Sequence, residues 1–269
     1  MRKVGLIGCG AIGGTIVQMW RESLGHREQL VAVLVKPAQI EATTARVGRE
    51  VLVTSDLGTF QACDLDVVIE AAGHDAVAQY VPSLLDRGCQ VYMLSVGALA
   101  DDELRYRLEA VAKRGGGRIV LPSGGLAGFD GLLSMKAAGL TSVKYTSVKP
   151  VDAWRGTSAE ETCRLEDLVT PWVVFAGSAK AAAVAFPRNA NLASAVALAG
   201  IGFERTRVVL VADPRATKIS GHIEATSAAG RLDVTLTGAS FEDNPKTSRI
   251  TAMSAIASLH DPEDPVRFC

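Results

Sequence analysis

The sequence predicts an α/β architecture in two parts: a doubly wound parallel sheet, then an α+β domain on an open-faced mixed or antiparallel sheet. Three observations predict it. Continuous Val/Ile/Leu runs alternate with longer amphipathic segments through residue 121, as expected of strands buried on both faces. The first run ends in a glycine-rich turn, Gly8-Cys9-Gly10-Ala11-Ile12-Gly13, that opens a helix. After Gly115-Gly116-Gly117 the strands change character and interleave polar residues, so that one face packs and the other meets water or a ligand. The first part therefore reads as a Rossmann dinucleotide-binding domain.

Taken in order, the apolar runs are 4–7, 30–35, 51–53, 67–72, 91–94 and 119–121, with helices expected near 11–24, 38–47, 75–87 and 101–114. Alternating strands follow at 141–149, 206–212, 217–227 and 231–239, with turns at Asp213-Pro214 and Ala229-Gly230. The last segment starts at Asn244-Pro245-Lys246-Thr247-Ser248 and reads as a capped helix with proline in its first turn. Its Ile250, Met253, Ile256 and Ala257 form a face that can return to the first domain. The expected organisation is 1–122 plus 244–269 for the dinucleotide domain, with 123–243 as the catalytic, substrate and dimerisation domain.

Composition narrows the function. Hydrophobic residues make up 48% of the 269 and charged residues 21%, which supports an ordered core. Lysine and arginine number 28 against 29 acids, so charge gives no reason to expect nucleic acid or an anionic membrane as partner. The Ala-rich stretch 179–203 is broken by Lys180, Pro187, Arg188, Asn189 and Asn191, and is no membrane span. The start of the chain carries no apolar signal core. Cysteines at 9, 63, 89, 163 and 269 are odd in number and scattered, so neither a disulfide framework nor a metal site is expected. The reading is a cytoplasmic protein with a small-molecule substrate.

The chemistry-bearing residues start at the glycine turn. Gly8 permits the tight turn, Gly10 lets the backbone approach a pyrophosphate, and Gly13 permits close packing of helix on strand. The second strand ends at Val35-Lys36-Pro37, without the acid that bonds the adenosine ribose of NAD. Lys36 is either a partner for a 2′-phosphate or a solvated lysine, so the cofactor is written as NAD or NADP. Two more strand ends, at Glu70-Ala71-Ala72-Gly73-His74 and Leu94-Ser95-Val96-Gly97, pass into small residues that leave room for a ribose and a nicotinamide ring.

Four histidines can titrate near neutral pH. His26 and His260 lie in polar segments, and His74 follows a strand end. In Lys218-Ile219-Ser220-Gly221-His222-Ile223-Glu224-Ala225 the two-residue period puts Ile219, Gly221, Ile223 and Ala225 on one face, and Ser220, His222 and Glu224 on the other. His222 is either a proton shuttle or a solvated surface histidine.

The segments GLIGCGAIG, VIEAAGH, LSVGAL, LPSGGLAG, KPVDAWRGT, FPRNANLASAVALAG, VVLVADP, the strand carrying His222, and NPKTSRITAMSAIASL stand in one order along nearly the whole chain. In this the chain resembles the L-aspartate dehydrogenase family of NAD(P)-dependent enzymes, related in layout to homoserine dehydrogenase and dihydrodipicolinate reductase. The resemblance implies reversible oxidative deamination of L-aspartate to iminoaspartate, then oxaloacetate and ammonia. It serves aspartate breakdown or the supply of iminoaspartate to NAD biosynthesis. It implies His222 as acid/base residue, and cofactor contacts from Gly8, Gly10, Ala11, Ile12 and Gly13, from Ala72, Gly73 and His74, and from Ser95, Val96 and Gly97. Further contacts are implied from Gly125 and Ala127 in the loop 124–128 and from Asn189 and Asn191, with Asn191 favoured for the nicotinamide. Gly125 stands where the family more usually has alanine. Two substrate carboxylates need cationic or N–H partners; the candidates are Lys149, Arg155, Lys246, Thr247 and Ser248. A homodimer is expected. Competing readings keep the fold but change the substrate, to homoserine or a cyclic imine, or drop catalysis for dinucleotide sensing.

Overall fold

A computed structural model describes residues 1–20, 28–187, 189–241 and 247–259. His26, Lys246, Pro245 and His260 lie outside the described residues. The described chain divides into two compact units: Met1–Pro122 with residues 252–259, and Ser123–Thr251.

The first unit runs β1 (Arg2–Ile7), α1 (Ala11–Met19), β2 (Glu28–Leu34), α2 (Ile40–Val47), β3 (Leu52–Thr54), α3 (Leu57–Gln61), β4 (Val67–Glu70), α4 (His74–Asp86), β5 (Gln90–Met93), α5 (Asp102–Gly115) and β6 (Arg118–Val120). Its sheet has the order β3-β2-β1-β4-β5-β6, and every pairing is parallel. This order reverses between β1 and β4, which places a ligand crevice at the carboxyl ends of those two strands. The runs are apolar throughout because the strands are covered on both faces: Val4, Leu6, Val67, Val68, Ile69 and Val91 are all buried. The sequence marks α5 most fully, since Asp101 caps Glu103 and Leu104 N–H, acids fill its first turn, and Gly116 ends it at φ 75°. The short α3 was not expected; its signal is Asp56, whose carboxylate accepts from Thr59 N–H.

The second unit holds α6 (Phe129–Ala137), β7 (Leu140–Lys149), α7 (Ala159–Thr162), β8 (Trp172–Ser178), α8 (Ala179–Ala185), α9 (Asn191–Ala199), β9 (Arg207–Ala212), β10 (Ile219–Ser227) and β11 (Gly230–Gly238). The sheet order is β11-β10-β7-β9-β8, with β7 and β9 parallel and the other pairs antiparallel, hence a mixed sheet. Alternation is clean in β10, where Ile219, Gly221, Ile223 and Ala225 are buried and His222 and Glu224 are half-exposed. Register carries the parity across: Gly221 pairs with Ser147 and Ile223 with Tyr145 on the inner face, while His222 pairs with Thr146 and Glu224 with Lys144 on the outer one. The inner face is packed by α6, α9 and the 124–128 loop. A Cβ on Gly131 would meet Leu232, one on Gly200 would meet Val143, and one on Gly128 would meet Val234.

The last helix, α10, is Ile250–Ala257. The return to the first unit falls at Ala252 and not at 244, because a Ser240–Ser248 bridge and the Arg249 N–H bond to the Ala239 carbonyl tie the chain before it to the second unit. Its most buried positions are Ala252, Ser254 and Ala255. Small side chains allow close approach of the backbone there, and the larger Met253 and Ile256 stay half-exposed.

Candidate active site

The dinucleotide edge is built by β1 and β4. Gly8 has φ +88°, and a Cβ on it would come within 2.8 Å of the Ala72 Cβ and 2.9 Å of the Ala71 carbonyl. Its N–H is bonded to the Leu34 carbonyl at 2.9 Å. A Cβ on Gly13 would overlap the Gly8 carbonyl oxygen, so glycine is required for α1 to start this close to the strand. Around Gly10, by contrast, a Cβ would meet nothing within 4 Å. Gly10 caps α1 with no side-chain hydrogen bond, and the first turn carries no acid. An open approach to uncapped N–H groups fits a pyrophosphate.

Glu70, at the end of β4, is fully buried. Its carboxylate accepts from Ala72 N–H and Gly73 N–H at 2.8 Å each, from Ser95 N–H at 3.0 Å and from the Ser95 hydroxyl at 2.9 Å. One side chain thus ties together both strand ends expected to line the cofactor. Ser95 spends its hydroxyl on Glu70, and Val96 and Gly97 are buried in a 3-10 turn. Gly73 has φ +130° and starts α4, whose first residue is His74. The sequence reading passed over Glu70; its signal was an acid ending an otherwise apolar buried strand.

At the second strand end Lys36 is exposed, and its neighbours in sequence are Val35 and Pro37. A further cation was missed. The Arg46 guanidinium and Thr43 hydrogen-bond to the Cys9 thiol, whose pKa burial pushes up against them. The same guanidinium occupies the space a Cβ on Gly14 would need. Arg46 lies in the last turn of α2, 32 residues beyond Gly14, so sequence alone gives no sign that it reaches the glycine turn.

In the second unit the 124–128 loop lies on the inner face of the sheet. A Cβ on Gly221 would overlap Leu126. One on Gly125 would stand 3.4 Å from Ser248 Cβ and 3.6 Å from Leu192, ordinary contacts, so alanine fits there as well as glycine. Lys149 ends β7 on this face, is 5% exposed, and donates from Nζ to Asn189 Oδ1 at 3.0 Å. Asn191 begins α9. Ser248 is buried with an unbonded hydroxyl, and Thr247 is half-buried beside it. Tyr145, also on the inner face, is pushed up to about 12 by burial and stays protonated at neutral pH. Arg155 is exposed and bonded to Asp152 at 2.8 Å.

His222 lies on the outer face. Its Nε2 is 2.7 Å from Asp233 Oδ1, and its Nδ1 is 4.0 Å from Glu224 Oε2. The His222 bond, then Arg231, hold the Asp233 carboxyl below the usual range, and Lys144 does the same for Glu224. The structure therefore sets the expected acid/base residue on the side of the sheet opposite Gly125, Asn189 and Ser248.

Residues 130–261 match the family described as Aspartate dehydrogenase, C-terminal, and residues 8–122 match Homoserine dehydrogenase, NAD binding domain. The chain is 38% identical over 261 residues to L-aspartate dehydrogenase of Polaromonas sp. (96% of this chain, 97% of the relative). It is 39% identical over 260 residues to that of Pseudomonas aeruginosa, with the same coverage of both. The chain belongs to the L-aspartate dehydrogenase family. The crystal structure of aspartate dehydrogenase from Thermotoga maritima aligns over 100% of both chains at 25% identity, with a TM-score of 0.77. A hyperthermophilic archaeal homoserine dehydrogenase shares the fold, with a TM-score of 0.59 at 12% identity. Among the described residues no helix is long and apolar enough to cross a membrane.

Proposed function

We propose that the chain oxidises L-aspartate to iminoaspartate, which hydrolyses to oxaloacetate and ammonia, with NAD or NADP as hydride acceptor. The observation that carries this reading is the similarity to proteins named L-aspartate dehydrogenase over 96% of the chain. The fit of the Gly8–Gly13 turn to a pyrophosphate supports it. The nicotinamide, when bound, supplies the redox chemistry. The chain's part is to hold the pyrophosphate on the Gly10–Gly13 N–H groups, to keep the strand ends at Ala72–Gly73 and Ser95 in place through Glu70, and to meet the nicotinamide with the 124–128 loop and Asn191. We read it as a cytoplasmic homodimer, with the half-exposed outer face of the second sheet as the supporting feature; light scattering on the purified protein checks the dimer.

The test is absorbance at 340 nm with L-aspartate, L-homoserine and other L-amino acids, each with NAD and with NADP. Aspartate is expected to give the highest kcat/KM. Preferred turnover of homoserine overturns the substrate, and cofactor binding without any turnover overturns the enzyme.

The proton has its own test. His222, bonded through Nε2 to Asp233, is the proposed acid/base residue, and His222→Ala is expected to lower kcat by about 10²–10⁴-fold. A kcat within about threefold of wild type moves the role to a group on the inner face of the sheet.

Cofactor choice has its own check. Lys36→Asp is expected to raise the KM for NADP several-fold more than that for NAD, since a new acid repels a 2′-phosphate and accepts ribose hydroxyls. With Arg46 still at the glycine turn, and with an exposed lysine a weak point charge, the change should stay below about tenfold. Equal effects on both cofactors place the reading of the 2′ position elsewhere.

A further inference from the structure

On the inner face of the second sheet two buried N–H donors, on Asn189 and Trp154, lie close to the buried ammonium of Lys149. Lys149 and Asn189 are each 5% exposed, and Trp154 is fully buried. The only acceptor on the Asn189 side chain, Oδ1, already receives Lys149 Nζ at 3.0 Å. That bond fixes which way the amide points and leaves its Nδ2, also buried, with no partner among the described residues. The Trp154 ring lies 5.9 Å from Lys149 Nζ, held edge-on by Phe186, and its buried Nε1–H has no acceptor among the described residues. Buried polar groups are nearly always satisfied, so two orphaned N–H donors beside a buried ammonium call for a ligand.

We propose that Lys149, Asn189 and Trp154 form a subsite for one carboxylate of the substrate. The donor set decides the ligand's chemistry. An ammonium, an amide NH₂ and an indole N–H accept nothing once Oδ1 is used, so the group they take is an anion that only accepts. A carboxylate offers two oxygens with about four lone-pair sites, enough for all three donors. Identifying that carboxylate as belonging to aspartate rests on the proposed function; the subsite itself rests on the geometry. Lys149 thereby separates from the other substrate candidates: Arg155 is exposed and paired to Asp152, whereas Lys149 sits beside the asparagine pair of the FPRNANLAS segment.

The test uses the full chain saturated with NADP and succinate as probe, a dicarboxylate without the amine, titrated by calorimetry. Wild type is expected to bind succinate, and Lys149→Met to weaken it at least tenfold. Asn189→Asp keeps the side-chain shape but turns the orphan donor into an anionic acceptor that captures Lys149, and should weaken succinate as much. Trp154→Phe, which keeps a ring and removes one N–H, should weaken it about three- to tenfold. Lys149→Arg should recover part of the loss. NADPH affinity, read by fluorescence, should stay within twofold in Lys149→Met and Trp154→Phe. Undetectable succinate binding to wild type, unchanged binding in Lys149→Met and Asn189→Asp, or a parallel fall in NADPH affinity in Lys149→Met overturns the subsite. If succinate binding depends on Lys149 but aspartate is not turned over, the proposed function fails and the subsite stands.

Discussion

Gly13→Ala should all but abolish dinucleotide binding. The added Cβ would overlap the carbonyl oxygen of Gly8, a backbone atom that cannot rotate away. Gly8 cannot retreat either: its N–H is tied to Leu34, and the Ala71 carbonyl and Ala72 lie against its other side. Either the turn opens or α1 moves off the strand, and both displace the uncapped N–H groups from a pyrophosphate. A rise in Kd for NADPH of at least about 100-fold is expected, equivalent to about 2.7 kcal/mol, with secondary structure retained by circular dichroism. Gly10→Ala serves as the contrast. Its Cβ meets no protein atom within 4 Å, so the protein should keep its Tm and lose affinity only through contact with the ligand. If Gly13→Ala binds NADPH as wild type does, the turn is not the dinucleotide site.

What the sequence disclosed and what it withheld follow the range of the interactions involved. The parallel sheet was legible because burial on both faces leaves a local mark, a continuous apolar run, and because the glycine turn compresses its requirements into six adjacent residues. The second sheet was legible in β7, β9, β10 and β11, where alternation is strict. It was not in β8, whose Trp172–Ser178 burial is intermediate over most of its length. The Ala-rich helices α8 and α9 gave no periodicity to read, since alanine suits buried and exposed positions alike. Arg46 was hidden for a different reason: its hydrogen bond to Cys9 spans 37 residues and nothing local marks it, whereas Glu70 leaves one local mark, an acid at the end of an apolar strand, that does not disclose its bonds to Ser95.

His222 shows how narrow the margin is. The alternation that assigned it to the polar face was right, and the same alternation separates it from Leu126 and Gly125, which pack on the other face. The histidine's acid/base role came with the resemblance of the surrounding segment, since the strand's two-residue period assigns a face and not a function. Only the packed structure shows which face holds the 124–128 loop.

Glu70→Ala should produce the largest loss of stability of any single change in the dinucleotide unit. The carboxylate is fully buried and receives four hydrogen bonds, from Ala72, Gly73 and both donors of Ser95. Truncation leaves the two buried Ser95 donors unsatisfied and removes the acceptor of the part-buried Ala72 and Gly73 N–H groups, and with about 1–3 kcal/mol for each buried donor the loss is about 2–6 kcal/mol. For a chain of this size that lowers Tm by roughly 4–24 °C, at about 2–4 °C per kcal/mol. Glu70→Gln is the graded control. The amide keeps one acceptor oxygen but turns an NH₂ toward donors, so it should fall between wild type and alanine. Because Glu70 ties the end of β4 to the start of the turn after β5, NADPH affinity should drop in the same order as stability. A Tm for Glu70→Ala within about 2 °C of wild type would mean that water or a rearranged backbone replaces the carboxylate. The strand ends would then be held by the sheet alone, and the acid ending β4 would have no part in shaping the cofactor edge.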